Sequence, residues 1–324
     1  MEFYYAMSGD RVCITRYTPT GRELVVEFCA GSSDSTFPPC ARRFFATERY
    51  VLYSGVGHVT FLFDRKENRH YFLSPYRSSN HFILGDTLFF RDDDSGVPLC
   101  SVYLPAIRNS LTEYRNGYWS PCWARGLEHK EVIKRGGVIG HSNGGFCAEY
   151  GESDSCCFFK ANADGPVTAS YILKCEPRFL SACDVTEDII YAAVAKIDGF
   201  SDRRQIVKRI HNYRYEEDVI TLEGFYYNPG SPWSNKYVDY VCATPEVIAL
   251  LNRYEDEPNR VVFYSCDGEE IASFRGDYLQ IFKTSVNDFL MVKEDETQWC
   301  NITTQLNFVG KFCDGAVAAV QPSV

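Results

Sequence analysis

Long apolar runs, helix-like periodicity, paired CxxC cysteines and a basic surplus are all missing from this 324-residue chain, and each absence removes a class of protein. No apolar run approaches the roughly 20 residues that a membrane-spanning helix needs. The opening MEFYYAMSGDRV has no basic segment followed by an apolar core, so it does not read as a signal peptide. Fourteen Cys are present, yet none falls in a CxxC pair or in a Cys/His set with zinc-like spacing. The six histidines (His58, His70, His81, His129, His141, His211) are dispersed. P-loop, dinucleotide glycine and HExxH motifs are absent, and no metal or other cofactor is implied. Acids outnumber bases by 43 to 33, which disfavours nucleic acid as a direct ligand and favours basic protein partners. The longest helix-like windows, 187–195 and 246–252, read equally well as apolar strands.

What the chain has in abundance is aromatic and β-branched residues, with 22 Tyr and 23 Phe. They recur in one phrase: an apolar run, a polar turn holding Gly, Asn or Asp, then a second apolar run. RVCITRYTPTGRELVVEF (11–28), HVTFLFDRKENRHYFLS (58–74), SCCFFKANADGPVTASYILK (155–174) and RVVFYSCDGEEIASF (260–274) are clear copies. This is the β-hairpin pattern, and its spread along the whole length predicts an array of β modules. Many cysteines lie inside the apolar runs (Cys13, Cys100, Cys147, Cys156, Cys157, Cys242, Cys266, Cys300) and are expected as small buried hydrophobes of a reducing compartment. The chain is therefore expected to be soluble and cytoplasmic. Asn301-Ile302-Thr303 matches a glycosylation sequon only by pattern.

Seven units of three outer strands, B, C and D, can be laid along the chain, and dividing 324 by 7 gives about 46 residues per unit. An inner strand A, rich in small residues, is expected before each B. The first unit lacks one, and residues 315–320 (GAVAAV) are predicted to supply it and so close the ring. Two stretches break the period: 105–137, and 225–237 with Trp233 at its middle. No linker divides the chain, so residues 1–324 are expected to form one domain.

This pattern resembles the seven-bladed β-propeller architecture over essentially the whole length, and it implies an all-β fold of four-stranded blades. The units are uneven, and six or eight blades also fit. No unit carries the WD dipeptide with its Gly-His partner, or the double glycine of kelch blades. The turns at 18–21, 162–165 and 265–268 are only superficially like sialidase Asp-boxes, because the closing Trp is missing.

Local motifs add little chemistry. Gly140-His141-Ser142-Asn143-Gly144 fits the G-x-S-x-G elbow of serine hydrolases. Residues 145–159 carry no helical pattern, and the only later histidine is His211, so a hairpin turn is the better reading. Asp92-Asp93-Asp94-Ser95-Gly96 lacks EF-hand spacing. The B–C turns, however, repeatedly hold acids: Asp92, Asp93 and Asp94; Glu152 and Asp154; Glu255, Asp256 and Glu257; Glu294, Asp295 and Glu296. In a propeller these turns share one face, which predicts an acidic face that steers basic partners. C–D turns look more mixed (Arg22, Arg65, Lys66, Arg69). Trp119, Trp123 and Trp233 lie in the two irregular stretches and are candidate contact anchors, whereas Trp299 is expected in the core. The leading expectation is a non-catalytic interaction or assembly subunit. The alternatives are a propeller-type glycoside hydrolase or lyase with carboxylates at the central funnel, and a serine hydrolase at Ser142.

Overall fold

Alternating apolar patterns and turn residues place strands throughout the chain, and the computed structural model bears this out. It describes residues 2–7, 11–29, 44–54, 60–74, 82–84, 87–90, 99–103, 112–113, 130–133, 138–142, 145–149, 155–161, 167–175, 179–185, 188–197, 203–226, 236–303 and 307–322. Among these residues there is no α-helix, and twenty-nine strands form seven antiparallel sheets, none closed on itself. Of the two windows with helical character, residues 189–195 lie in a strand and so do residues 247–252.

The chain divides into two compact units, residues 1–137 with 161–168 and 317–324, and residues 138–160 with 169–316. In the first unit, sheet I joins β1 (Phe3–Met7), β2 (Arg11–Thr18) and β3 (Gly21–Cys29) to the C-terminal β29 (Val317–Pro322). The register of β29 on β1 runs from Phe3↔Pro322 to Met7↔Val317. The predicted donation of a C-terminal strand to the first unit is therefore present, two residues later than expected. Sheet II contains β4 (Phe44–Ala46), β5 (Tyr50–Ser54), β6 (Thr60–Asp64), β7 (Arg69–Ser74) and a short fifth strand, β11 (Thr112–Glu113), on β7. Sheet III contains β8 (Phe82–Leu84), β9 (Thr87–Phe90), β10 (Leu99–Tyr103) and β12 (Lys130–Ile133). The stretch 105–137, expected as an irregular connection, thus supplies two edge strands. A core of Tyr4, Ala6, Ile14, Val26, Phe44, Ala46, Val51 and Phe63 joins sheets I and II.

In the second unit, sheet IV holds β13 (Val138–Ser142), β14 (Gly145–Glu149), β15 (Cys156–Ala161) and β16 (Val167–Leu173). Sheet V holds β17 (Leu180–Val185), β18 (Ile189–Ile197), β19 (Arg203–His211) and β20 (Tyr215–Glu223). Sheet VI holds β21 (Lys236–Ala243), β22 (Val247–Tyr254), β23 (Arg260–Ser265) and β24 (Glu270–Arg275). Sheet VII holds β25 (Gln280–Lys283), β26 (Asp288–Val292), β27 (Glu296–Ile302) and β28 (Asn307–Asp314). Each is a simple meander in which neighbours in sequence are neighbours in space.

Burial explains the composition of these strands. The first six residues of β22, Val-Ile-Ala-Leu-Leu-Asn, are all buried because both faces of that strand are covered by neighbouring sheets. The fourth strand β20 is largely exposed and correspondingly polar, and β24 and β28 contain no fully buried residue. Small side chains let the sheets approach one another: Ala192, Ala193 and Ala249 are fully buried. Phe263 of β23 packs edge-on to Phe289 of β26, with ring centroids 5.2 Å apart, and so joins sheets VI and VII.

A threonine ends several first strands and caps the turn that comes next. Thr47, Thr244 and Thr284 each donate Oγ1 to the carbonyl that opens the next strand (Tyr50, 3.3 Å; Val247, 3.2 Å; Asp288, 3.0 Å). The same backbone carbonyls accept the threonine N–H at 2.8 to 2.9 Å. A hydroxyl suits this place because it satisfies turn groups that the ladder leaves unpaired.

Cys156, Cys157, Cys183, Cys242, Cys266 and Cys300 are free thiols. Cys156, Cys157, Cys242 and Cys300 are buried as expected, whereas Cys13 and Cys266 are only half-buried. Cys266 lies one residue past the end of β23, where the chain turns outward. Cys100 and Cys147 stand in β10 and β14. No helix among the described residues is long and apolar enough to cross a membrane.

Candidate functional site

Sheets VI and VII end in two acidic turns, and the connection between the sheets stitches them together. β22 leads into residues 255–259 and β26 into residues 293–295. Between them runs the segment 276–279. Asn259 donates Nδ2 to the Tyr278 carbonyl at 2.9 Å. Arg253 reaches the carbonyls of Tyr278 (3.0 Å) and Leu279 (2.8 Å) while its Nε donates to Asp239 at 2.6 Å. The Tyr278 hydroxyl donates to Gln298 Oε1 at 3.2 Å, and the Lys293 ammonium stands 5.3 Å from the Tyr278 ring centre. Tyr278 is buried, so these contacts fix the connection against both turns.

The two turns therefore flank one connecting segment, 276–279. Glu255, Asp256, Glu294 and Asp295 are exposed, and none forms an ion pair with a described residue. Two acids of the predicted set behave differently. Glu257 pairs with Arg260 at 3.0 Å and with Arg275 at 3.7 Å. Glu296 accepts from Lys293 at 3.1 Å and from Gln298 at 2.6 Å, and the Lys293 hydrogen bond holds its carboxyl below the ordinary range. Asp277, exposed in the connecting segment, adds a fifth unpaired acid that the turn-class argument missed. Its only sequence signal was a polar Gly276-Asp277 break between two strand runs.

The opposite end of sheet VI is not mixed in charge as expected for C–D turns. Its C–D turn carries Asp267 and Glu269, both exposed. Acidity at the B–C end is therefore distinguished by its clustering rather than by exclusivity. Asp92, Asp93, Asp94, Glu152, Asp154, Trp119, Trp123 and Trp233 lie outside the described residues. Trp299, expected in the core, is half-buried on β27, its ring 5.4 Å from the exposed Phe308.

First strands of the second unit show what became of inward carboxylates. β17 carries one, Asp184, and β21 carries one, Asp239. Asp239 is held by Arg253, as above. Asp184 is buried, and its Oδ2 accepts from the Ala243 N–H at 2.8 Å and from Lys283 Nζ at 2.5 Å. Lys283 also donates to the Ala243 carbonyl at 2.9 Å. Residues of β17, β21 and β25 thus meet in one network across three sheets. Burial opposes the Lys283 charge, but the Asp184 carboxylate and nearby Cys242 outweigh it and raise its pKa. Burial pushes the Cys242 thiol up to about 12. These two acids serve as braces, with no pair of unmatched carboxylates on β17, β21 or β25 of the kind that glycoside hydrolysis uses.

The elbow motif sits in a hairpin. Ser142 pairs with Gly145, and Gly145–Glu149 is a strand in register with β13. A nucleophile elbow must enter a helix there, so the strand removes the geometry on which Ser142 depended.

No family model matches the chain, and no curated protein sequence matches it. Solved structures do resemble it. Hsv2 from Kluyveromyces lactis, a seven-bladed propeller, aligns over 97% of this chain and 99% of its own with a TM-score of 0.55 at 9% identity. A protein of unknown function from Desulfotomaculum acetoxidans aligns over 99% of both chains with a TM-score of 0.54 at 11% identity. Identity this low speaks for the fold alone, and the fold is that of a β-propeller.

Proposed function

We propose that the chain is a single seven-bladed propeller that serves as a non-catalytic, intracellular interaction scaffold, with its acidic B–C end turned to a basic protein partner. Seven sheets and the pairing of β29 with β1 support the blade count and closure of the ring through the C-terminal strand. The observation that carries the functional reading is the group Glu255, Asp256, Asp277, Glu294 and Asp295, exposed and unpaired around a connection that Tyr278 holds rigid. A pre-ordered surface loses little conformational entropy on binding, and unpaired carboxylates accelerate encounter with a cationic partner. Asp92, Asp93 and Asp94 are assigned to the same face, and Trp119, Trp123 and Trp233 are assigned as apolar anchors on composition.

The test is affinity purification from the native source with the wild-type chain and with Glu255→Gln, Asp256→Asn, Glu294→Gln and Asp295→Asn combined. A partner recovered by the wild type, lost from the variant and released by raised salt supports the reading. Equal recovery at every ionic strength sinks it. Trp119→Ala with Trp233→Ala is a separate arm, and undiminished recovery by that folded variant removes the anchors.

A further inference from the structure

The outermost strand of an open sheet presents a row of backbone N–H and C=O groups to which another chain can pair, and natural proteins defend such edges with charge. Six outer strands here follow that rule. β3, β11, β12, β20, β24 and β28 each carry at least one carboxylate, and β20 carries four. The exception is β16, the last strand of sheet IV, which reads Val-Thr-Ala-Ser-Tyr-Ile-Leu and has no charged residue. No described strand pairs with its outer side.

This edge is also held firmly. Ala169, Tyr171 and Leu173 pack against the core shared with sheet V, and the Tyr171 hydroxyl donates to Glu216 Oε2 of β20 at 3.0 Å. The strand stops where the Cys175 N–H takes the Leu173 carbonyl at 2.9 Å. At the alternate positions Ser170 and Ile172 are exposed, and Ile172 leaves 56% of its surface open. The ladder edge is thus ordered in advance and bears an exposed β-branched side chain, so an added strand would cost it little conformational entropy.

Backbone groups decide that the occupant is an extended strand, and the charge pattern decides which strand. When a strand pairs with its own copy about a two-fold axis, its side chains stand opposite those of the same strand, and like charges placed that way destabilise the pair. For β20 such pairing would crowd four carboxylates against four. For β16 it brings no charge against charge. An axis through Ser170 sets the whole strand in register with its copy, Ser170 facing Ser170 and Ala169 facing Tyr171.

We propose that β16 is a self-association edge, through which two copies of this chain join sheet IV to sheet IV as one continuous antiparallel sheet. The pairing involves seven residues a side, which places it among the small, weak and concentration-dependent contacts. It does not use the acidic group of sheets VI and VII, so it stands or falls independently of the scaffold reading.

Sedimentation velocity on a concentration series of the full-length chain should show a monomer–dimer equilibrium. Ser170→Lys and Ser170→Glu, each alone, should weaken the dimer about fivefold with the melting curve unchanged, because each sets like charges together at the axis. The two variants mixed should regain at least the wild-type affinity, because Lys then faces Glu. A wild-type chain that stays monomeric to about 100 μM overturns the proposal. Single variants that associate like the wild type, or a mixture no tighter than its parts, overturn it as well. A monomeric wild type whose foreign partner is lost on Ser170→Lys overturns it in favour of a strand from another protein.

Discussion

Removing the Asp184 carboxylate would leave the Lys283 ammonium and the Ala243 N–H without their partner at a junction of three sheets. Asp184→Ala is expected to cost about 3 to 5 kcal/mol, read from the urea midpoint. Lys283→Met added to Asp184→Leu should recover part of that loss, because an unpaired buried charge is worse than none. A loss below 1 kcal/mol for the single variant would show the pair to be incidental. This network could not be read from the sequence. Its members lie 99 residues apart, and neither Asp184 nor Lys283 stands in a pattern that announces a partner. The acidic turns were legible, because hairpin tips are where charge stays hydrated. Which of those acids are neutralised depends on Arg260, Arg275 and Lys293, whose reach only the folded chain defines.

Hairpins were the most legible elements, since alternation and turn residues mark them locally. The divergence lies at sheet III. Its fourth strand, Lys130–Ile133, is a short edge strand within a long stretch rich in Trp, Pro and Arg, and nothing local links it to β10. The turn between β23 and β24 shows how closely sheets V and VI fit. Gly268 has φ of 84°, and a Cβ built there would stand 2.3 Å from the Val219 carbonyl oxygen of β20. Gly268→Ala should therefore lower stability by more than about 1 kcal/mol, from backbone strain and from pushing the two sheets apart. An unchanged melting temperature would disprove that close approach.

For the molecule as a whole, buried thiols and phenols predict sensitivity to alkali. Burial raises Cys157 to about 11, Cys242 to about 12 and Tyr264 to about 12, and it raises Tyr191, Tyr254 and Cys300 as well. A group with a raised folded pKa contributes stability that is complete below its unfolded value and is lost as pH climbs through the folded one. Ordinary thiols ionise from 9.0 and phenols from 10.0, so the melting temperature should hold to about pH 8.5 and fall progressively from there to pH 12. Lys283, raised by Asp184, adds to the decline above 10.5. A flat melting profile from pH 8 to pH 11 would contradict this.

The partnership of β1 with β29 also sets an order of events during synthesis. Met7 and Val317 stand 310 positions apart (317 minus 7), so the ribosome releases the first strand long before its mate exists. Throughout that interval Phe3–Met7 presents an open ladder edge bearing Phe3, Tyr4 and Tyr5. Nascent chains stalled before residue 317 should be sticky and dependent on chaperones, and a circular permutant that begins at β29 should escape that hazard.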